Sequence, residues 1–159
     1  MKKSVFLMMM CGIILLLTSC SSMKTSPAVT AQFAEKVEKR NFTVKMNYAN
    51  PMRMRPVYLT SEYTLQVKGD SAIAFLPYYG VAHVAPFDPT EGGIKFAQPM
   101  SNYKMESNKN KTGWNITFRV KSNQSVYDIF ISAFQNGSCS VSVNSYERDM
   151  ISFQGEIMN

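Results

Sequence analysis

The sequence predicts a mainly β fold: a curved antiparallel meander sheet, barrel-like or a sandwich, with one N-terminal α-helix packed against it. Beyond residue 41 the apolar residues recur with a period of two, which is typical of strands with one buried face. Short links separate these segments, and such links join antiparallel strands, because a parallel connection needs a crossover of about a dozen residues. One apolar face must then be covered by curling, by a second sheet or by the helix.

The helix is predicted over residues 30–40, with Thr30 as a possible N-cap. Its apolar positions recur at near-helical spacing: Ala31, Phe33, Ala34 and Val37. Basic residues gather towards its C-terminal end, where they interact favourably with the helix dipole: Lys36, Lys39 and Arg40. This is the one convincing helix in the chain after residue 20.

The strands follow in chain order. They are predicted at 42–48, 63–67, 72–76, 93–97, 102–106, 114–120, 127–134, 138–146 and 150–157. The turn signal Lys68-Gly69-Asp70 joins the second strand to the third as a hairpin. In the run from 138 to 143, alternation places Cys139 on the same face as Val141 and Val143, so we expect a buried structural thiol.

The first 19 residues predict a cleaved export signal. Lys2 and Lys3 form a basic start, and residues 5–17 are uncharged and apolar but too short to span a bilayer. Leu17-Thr18-Ser19-Cys20 resembles the lipobox of bacterial lipoproteins, whose cysteine is diacylated and becomes the new N-terminus. We therefore expect a signal peptide at 1–19, a lipidated tether at 20–27 and a single β-rich domain at 28–159.

The composition limits the possible partners. The whole chain carries a net charge of +6, and without Lys2 and Lys3 the count is 15 basic against 11 acidic residues, or +4. Nucleic-acid binding asks for a denser basic surface, so we expect no such partner. The expected membrane contact is through acyl chains on Cys20. Ser21 at the next position, with no acidic residue up to Lys24, indicates the outer membrane on its periplasmic side.

The middle of the chain resembles a known family. The element Leu76-Pro77-Tyr78-Tyr79-Gly80, the following Gly92-Gly93 and the runs at 59–63, 69–70, 85–86, 91–96 and 152–157 are similar to the DUF4251 family. The resemblance covers residues 35–157. It implies a small lipoprotein or exported protein of Bacteroidota, located in the cell envelope, and it implies no particular activity.

The aromatic loop is the best candidate binding site. Tyr78, Tyr79, His83 and Phe87 lie within ten residues of a segment rich in proline and glycine. Such rings on a loop can stack on sugars or grip a peptide. The simpler interpretation, which we favour, is that the rings close one end of the hydrophobic core.

Ser71 is a candidate O-glycosylation site. Asp70-Ser71-Ala72 resembles the acceptor sequence for protein O-glycosylation in Bacteroidota, and a hairpin turn would expose Ser71. The simpler interpretation is a turn residue followed by a strand.

Three functions remain open at this point. The first is a non-catalytic envelope lipoprotein that binds a protein, glycan or cell-wall partner, and the second is a binder of a small apolar or amphipathic ligand inside the sheet. A filled interior favours the first, and an internal apolar pocket of roughly 300 Å³ or more favours the second. The third is an enzyme, which would need a cleft gathering His83 with carboxylates such as Asp88, Glu91 or Asp128. We expect no catalytic residues, no cofactor and no metal.

Overall fold

In the part of the chain that the structure describes, eight antiparallel strands follow one another in chain order around a closed barrel, and one helix precedes them. The computed structural model describes residues 27–84, 92–110, 112–123 and 125–158. The elements are α1 (Pro27–Glu38), β1 (Asn41–Pro51), β2 (Val57–Lys68), β3 (Ser71–Leu76), β4 (Ile94–Ser107), β5 (Gly113–Lys121), β6 (Val126–Phe134), β7 (Ser138–Ser145) and β8 (Arg148–Ile157). Because β1 pairs with β8, the sheet is a barrel and not a sandwich.

Apolar side chains fill the interior of the barrel. Strand β6 alternates throughout as the sequence predicts, and so do β5 from Ile116 onward and β7 as far as Val143, with every second side chain buried. The largest fully buried side chains include Tyr127, Phe153, Met46, Leu65, Leu76, Ile116, Ile129, Ile131 and Ile151. Eight strands enclose a space just wide enough for side chains to fill, so the interior of this barrel is its hydrophobic core.

Helix α1 covers one end of the barrel. Phe33 and Val37 are buried from its inner side, and the Nζ of Lys36 donates a hydrogen bond to the carbonyl oxygen of Met158 at 3.1 Å. Gly137 has a φ of +86°, and a Cβ at that position would lie 2.8 Å from the Phe33 ring. A glycine there lets the β6–β7 turn pass beneath the helix.

We name the two ends of the barrel for what they carry. The helix end comprises α1, the β2–β3 and β6–β7 turns and the end of β8, and the loop end comprises residues 52–56, 77–84, 122–123 and 125 with the β7–β8 turn. Helix α1 begins at Pro27, three residues before the predicted start, and a proline is well tolerated in a first helical turn. No helix within these described ranges has the length and apolar character needed to cross a membrane.

Two irregularities change what strict alternation predicts. The segments 93–97 and 102–106, expected as separate strands, instead form one strand, β4, which begins at Ile94. Its register shifts between Ser101 and Lys104, where Asn102 has a φ of +54°. In β1 the register shifts between Met46 and Tyr48. Asn47 is the extra residue of this bulge, so Tyr48 lies outside the barrel although Met46 lies inside.

Cys139 is buried inside the barrel wall beside Val141 and Val143, which confirms the predicted face. Burial raises the pKa of its thiol from 9.0 to about 12. Above the ordinary pKa the unfolded chain loses the thiol proton while the folded chain keeps it, so the free energy of unfolding falls as pH rises from about 9 towards 12. At about pH 10.5 this one group lowers the free energy of unfolding by roughly 2 kcal/mol.

We therefore expect the free energy of unfolding to fall less at alkaline pH in Cys139→Ala than in the wild-type protein. Urea unfolding of both proteins at about pH 8 and about pH 10.5 measures the effect, and the wild-type protein should lose roughly 2 kcal/mol more than the variant. The cavity that the variant creates lowers its stability at both pH values, so this effect cancels when each protein is compared with itself. Equal losses in the two proteins would show that the thiol ionises in the folded state.

Candidate functional site

The first part of the aromatic loop is docked on the β7–β8 turn at the loop end. Ala82 forms an isolated antiparallel bridge with Arg148. The backbone N–H of His83 donates to the carbonyl oxygen of Glu147 at 2.7 Å, and that of Asp149 donates to the carbonyl oxygen of Val81 at 3.0 Å. Backbone hydrogen bonds thus fix residues 81–84 against the start of β8.

Asp149 connects three separate segments at this end. Its carboxylate is 7% exposed and accepts a hydrogen bond from the Nε of Arg53 at 2.8 Å, while the Nε2 of His83 lies 3.0 Å from its other oxygen. Burial alone would raise the pKa of Asp149, but the hydrogen bonds and charges of Arg53 and His83 outweigh it and hold the pKa below its ordinary value. The ionised carboxylate joins the β1–β2 loop, residues 81–84 and β8.

Tyr78 and Tyr79 pack against the core, whereas His83 does not. Both tyrosines are partly buried. The hydroxyl of Tyr78 lies 3.0 Å from the carbonyl oxygens of Val81 and Asp149, and the Arg148 guanidinium lies 5.2 Å from the centre of its ring. Burial, as the largest cause, raises the pKa of Tyr78. Core closure therefore accounts for these two rings, and the predicted site residue Phe87 lies outside the described residues.

An open groove of about 410 Å³ lies beside the cluster around Asp149. It is lined by Met52, His83, Val126, Asp128, Asn144, Ser145, Tyr146, Arg148, Asp149 and Met150. The groove brings His83 and Asp128 to one surface, but Asp128 accepts two hydrogen bonds from Arg119, at 2.7 and 3.1 Å. Each carboxylate is thus held by a cation, and Cys139 lies near the other end of the barrel from His83.

Apolar side chains are exposed around this groove. Of the fourteen large apolar residues that the structure describes as exposed, seven lie in the loop end or line the groove: Met52, Met54, Val81, Val84, Val126, Tyr146 and Met150. Tyr146 is 97% exposed. We call these seven residues, with Arg53 and Arg55, the loop-end surface. In the sequence, the run Met52-Arg53-Met54-Arg55 indicates this surface by its methionine and arginine residues.

Ser71 lies at the helix end, at the first position of β3. Its side chain is exposed, and Asp70 in the preceding turn is paired with Arg40 at 2.9 Å. Its backbone pairs with Lys68 and with Pro99. The hairpin therefore presents the serine hydroxyl on the outside of the barrel, and glycosylation stays a prediction.

We expect the protein isolated from its own host to carry a discrete glycan mass that Ser71→Ala removes. Intact-mass measurement of both proteins tests this, since O-linked glycan survives denaturation. Ser101→Ala is a matched control, because Ser101 is also an exposed strand serine but does not follow an aspartate. Identical masses for the wild type and Ser71→Ala, after allowing for one oxygen, would refute the modification.

The chain is similar to other proteins in two comparisons. A family model described as "Domain of unknown function (DUF4251)" matches residues 25–157. The crystal structure of a DUF4251 family protein from Bacteroides eggerthii matches with a TM-score of 0.63 and 14% identity, over 82% of this chain and 87% of that chain. At this identity the likeness shows the fold alone. No curated protein matches the chain significantly.

Proposed function

The chain belongs to the DUF4251 family, a family of unknown function, and from this premise we propose that it is a lipid-anchored protein of the bacterial cell envelope that binds a partner protein through the loop-end surface. The role that we propose is non-catalytic. Acyl chains on Cys20 hold the helix end near the membrane, on the periplasmic side of the outer membrane. The loop end then points away from the lipid towards its partner.

The composition and position of the loop-end surface carry the proposal. Methionine, tyrosine and arginine are enriched at protein interfaces, and this surface presents Met52, Met54, Met150, Tyr146 and Arg55. Exposed apolar groups rimmed by polar ones are typical of protein-binding sites on soluble domains. Methionine side chains adapt their shape to a partner at little cost. The surface lies at the end of the barrel opposite α1, so a tether through α1 leaves it accessible.

The filled interior supports this function over the binding of a small ligand inside the barrel. The inward side chains of Phe153, Leu65 and Ile131 are at most 1% exposed. The described grooves of about 410 and 420 Å³ both lie on the outside. An enzyme is the weaker alternative, because the low pKa and paired state of Asp149 make it a poor general base.

Site-specific photocrosslinking in the intact host tests the proposal. A benzophenone amino acid at position 146 should give one discrete adduct whose added mass belongs to a protein. The same group at position 73 is the control, because Ile73 is also exposed but lies on β3 near the helix end. Adding Met150→Asp should weaken the adduct from position 146. Equal adducts from both positions, or none from position 146, would overturn the proposal.

A further inference from the structure

A second groove, of about 420 Å³, crosses the outer wall of the barrel over β1, β8, β7 and β6. We call it the wall groove. Its polar lining residues are Asn47, Ser138, Ser140 and Gln154, and its rings are Tyr48 and Phe134. Cys139 and Gly155 also line it, but the Cys139 thiol is buried inside and Gly155 has no side chain, so their backbone forms the floor.

The bulge in β1 creates one side of the wall groove. In a regular strand Tyr48 would share the inward face of Met46, but the extra residue Asn47 turns its ring outward, where it is 44% exposed. Tyr58 supports this ring edge-on, with ring centroids 5.2 Å apart. Bulges commonly re-aim a side chain beside a functional site. Phe134, 40% exposed on β6, stands on the other side.

The floor between the two rings is low and uncharged. Gln154 pairs with Tyr48 on one side and with Ser140 on the other, which places small or amide side chains between the rings. Within the described residues the side chains of Asn47, Ser140 and Gln154 make no hydrogen bond to other protein groups. Three strand spacings separate β1 from β6, about 14 Å. This is the width of an extended ligand of a few rings.

We propose that the wall groove binds a neutral glycan. Amides and hydroxyls both donate and accept hydrogen bonds, which matches the hydroxyl groups of a sugar. Aromatic faces pack on the C–H faces of sugar rings. An anionic ligand would find no cation among the lining residues, and an apolar ligand would leave the floor amides without partners. The site is separate from the loop-end surface, so this proposal and the proposed function can fail independently.

Calorimetric titration with neutral tetrasaccharides of glucose, mannose, galactose and N-acetylglucosamine tests the inference. The full-length protein is kept in a polyoxyethylene detergent, which has no sugar headgroup. We expect saturable binding of at least one probe, weakened about tenfold by Tyr48→Ala and by Phe134→Ala. In NMR spectra the side-chain amides of Asn47 and Gln154 should shift on binding.

The control is Phe130→Ala, which removes a ring of similar exposure from the same strand outside the groove and should leave binding unchanged. Thermal melts show whether each variant is folded. Gln154→Ala is a further variant, and it changes only the floor of the wall groove. No binding of any neutral probe would overturn the proposal. Equal loss in Phe130→Ala, or tighter binding of an anionic tetragalacturonate, would overturn it as well.

Discussion

Replacing Gly155 with valine is expected to lower the free energy of unfolding by about 3 kcal/mol or to prevent folding. A Cβ at this position would lie 2.0 Å from the carbonyl oxygen of Lys45 and 3.1 Å from the Cα of Met46. Both are backbone atoms of β1, so no change of rotamer relieves the overlap. Strands β1 and β8 form the seam that closes the barrel, and Gly155 faces β1 next to its bulge.

Equilibrium urea unfolding measures this effect, with Gly92→Ala as the control. A Cβ at Gly92 meets nothing within 4 Å, so this variant should unfold at the same urea concentration as the wild type. Gly155→Ala is the milder change if the valine variant does not fold, and it too should be destabilised. A midpoint for Gly155→Ala equal to that of Gly92→Ala would show that the seam opens easily and that β1 and β8 do not need this close contact.

The meander order was predictable because it follows from local signals. The turn Lys68-Gly69-Asp70 lies between two alternating segments, and the structure pairs those segments as β2 and β3. The sequence also predicted the single helix and its buried Phe33 and Val37. The sequence left a barrel and a sandwich open as alternatives, because closure depends on pairing between β1 and β8, which no local signal encodes.

The bulges limited the prediction of which residues face outward. Tyr48 continues the alternation of Phe42, Val44 and Met46 in the sequence, yet it is exposed because Asn47 is an extra residue opposite β8. A bulge is detected only when the partner strand is known, since it is defined by two residues opposing one. The wall groove depends on this bulge and on pairing of Tyr48 with Gln154, so the sequence alone could not predict it.

In the aromatic loop, residue types alone predicted part of what the structure shows. Tyr78 and Tyr79 close the core at the loop end, as the simpler interpretation of these rings predicted. Asp149, which holds His83, was not selected because it follows an ordinary turn in the sequence. Its role comes from contacts with Arg53 and His83, which are 96 and 66 residues away along the chain.

Cys20→Ala is expected to abolish incorporation of lipid into the protein. Cys20 lies outside the described residues, so the expectation rests on the sequence before it. One acyl chain gives only marginal membrane binding, whereas two give stable anchoring, so loss of this cysteine removes the anchor altogether. Metabolic labelling with an alkyne-tagged fatty acid measures the change directly. Fractionation alone is weaker evidence, because the uncleaved apolar segment at 5–17 could itself hold the variant on membranes.

Cys11→Ala is the matched control, since Cys11 lies in the same leader and should leave labelling intact. Label retained in Cys20→Ala, or lost in Cys11→Ala, would refute the assignment of the lipidated residue.

The anchor also determines how the loop-end surface is placed relative to the membrane. Residues 20–27 reach at most about 25 Å when extended, so the helix end stays close to the lipid. If Cys20→Ala also removed the crosslink from position 146, the partner would lie where only an anchored barrel can meet it.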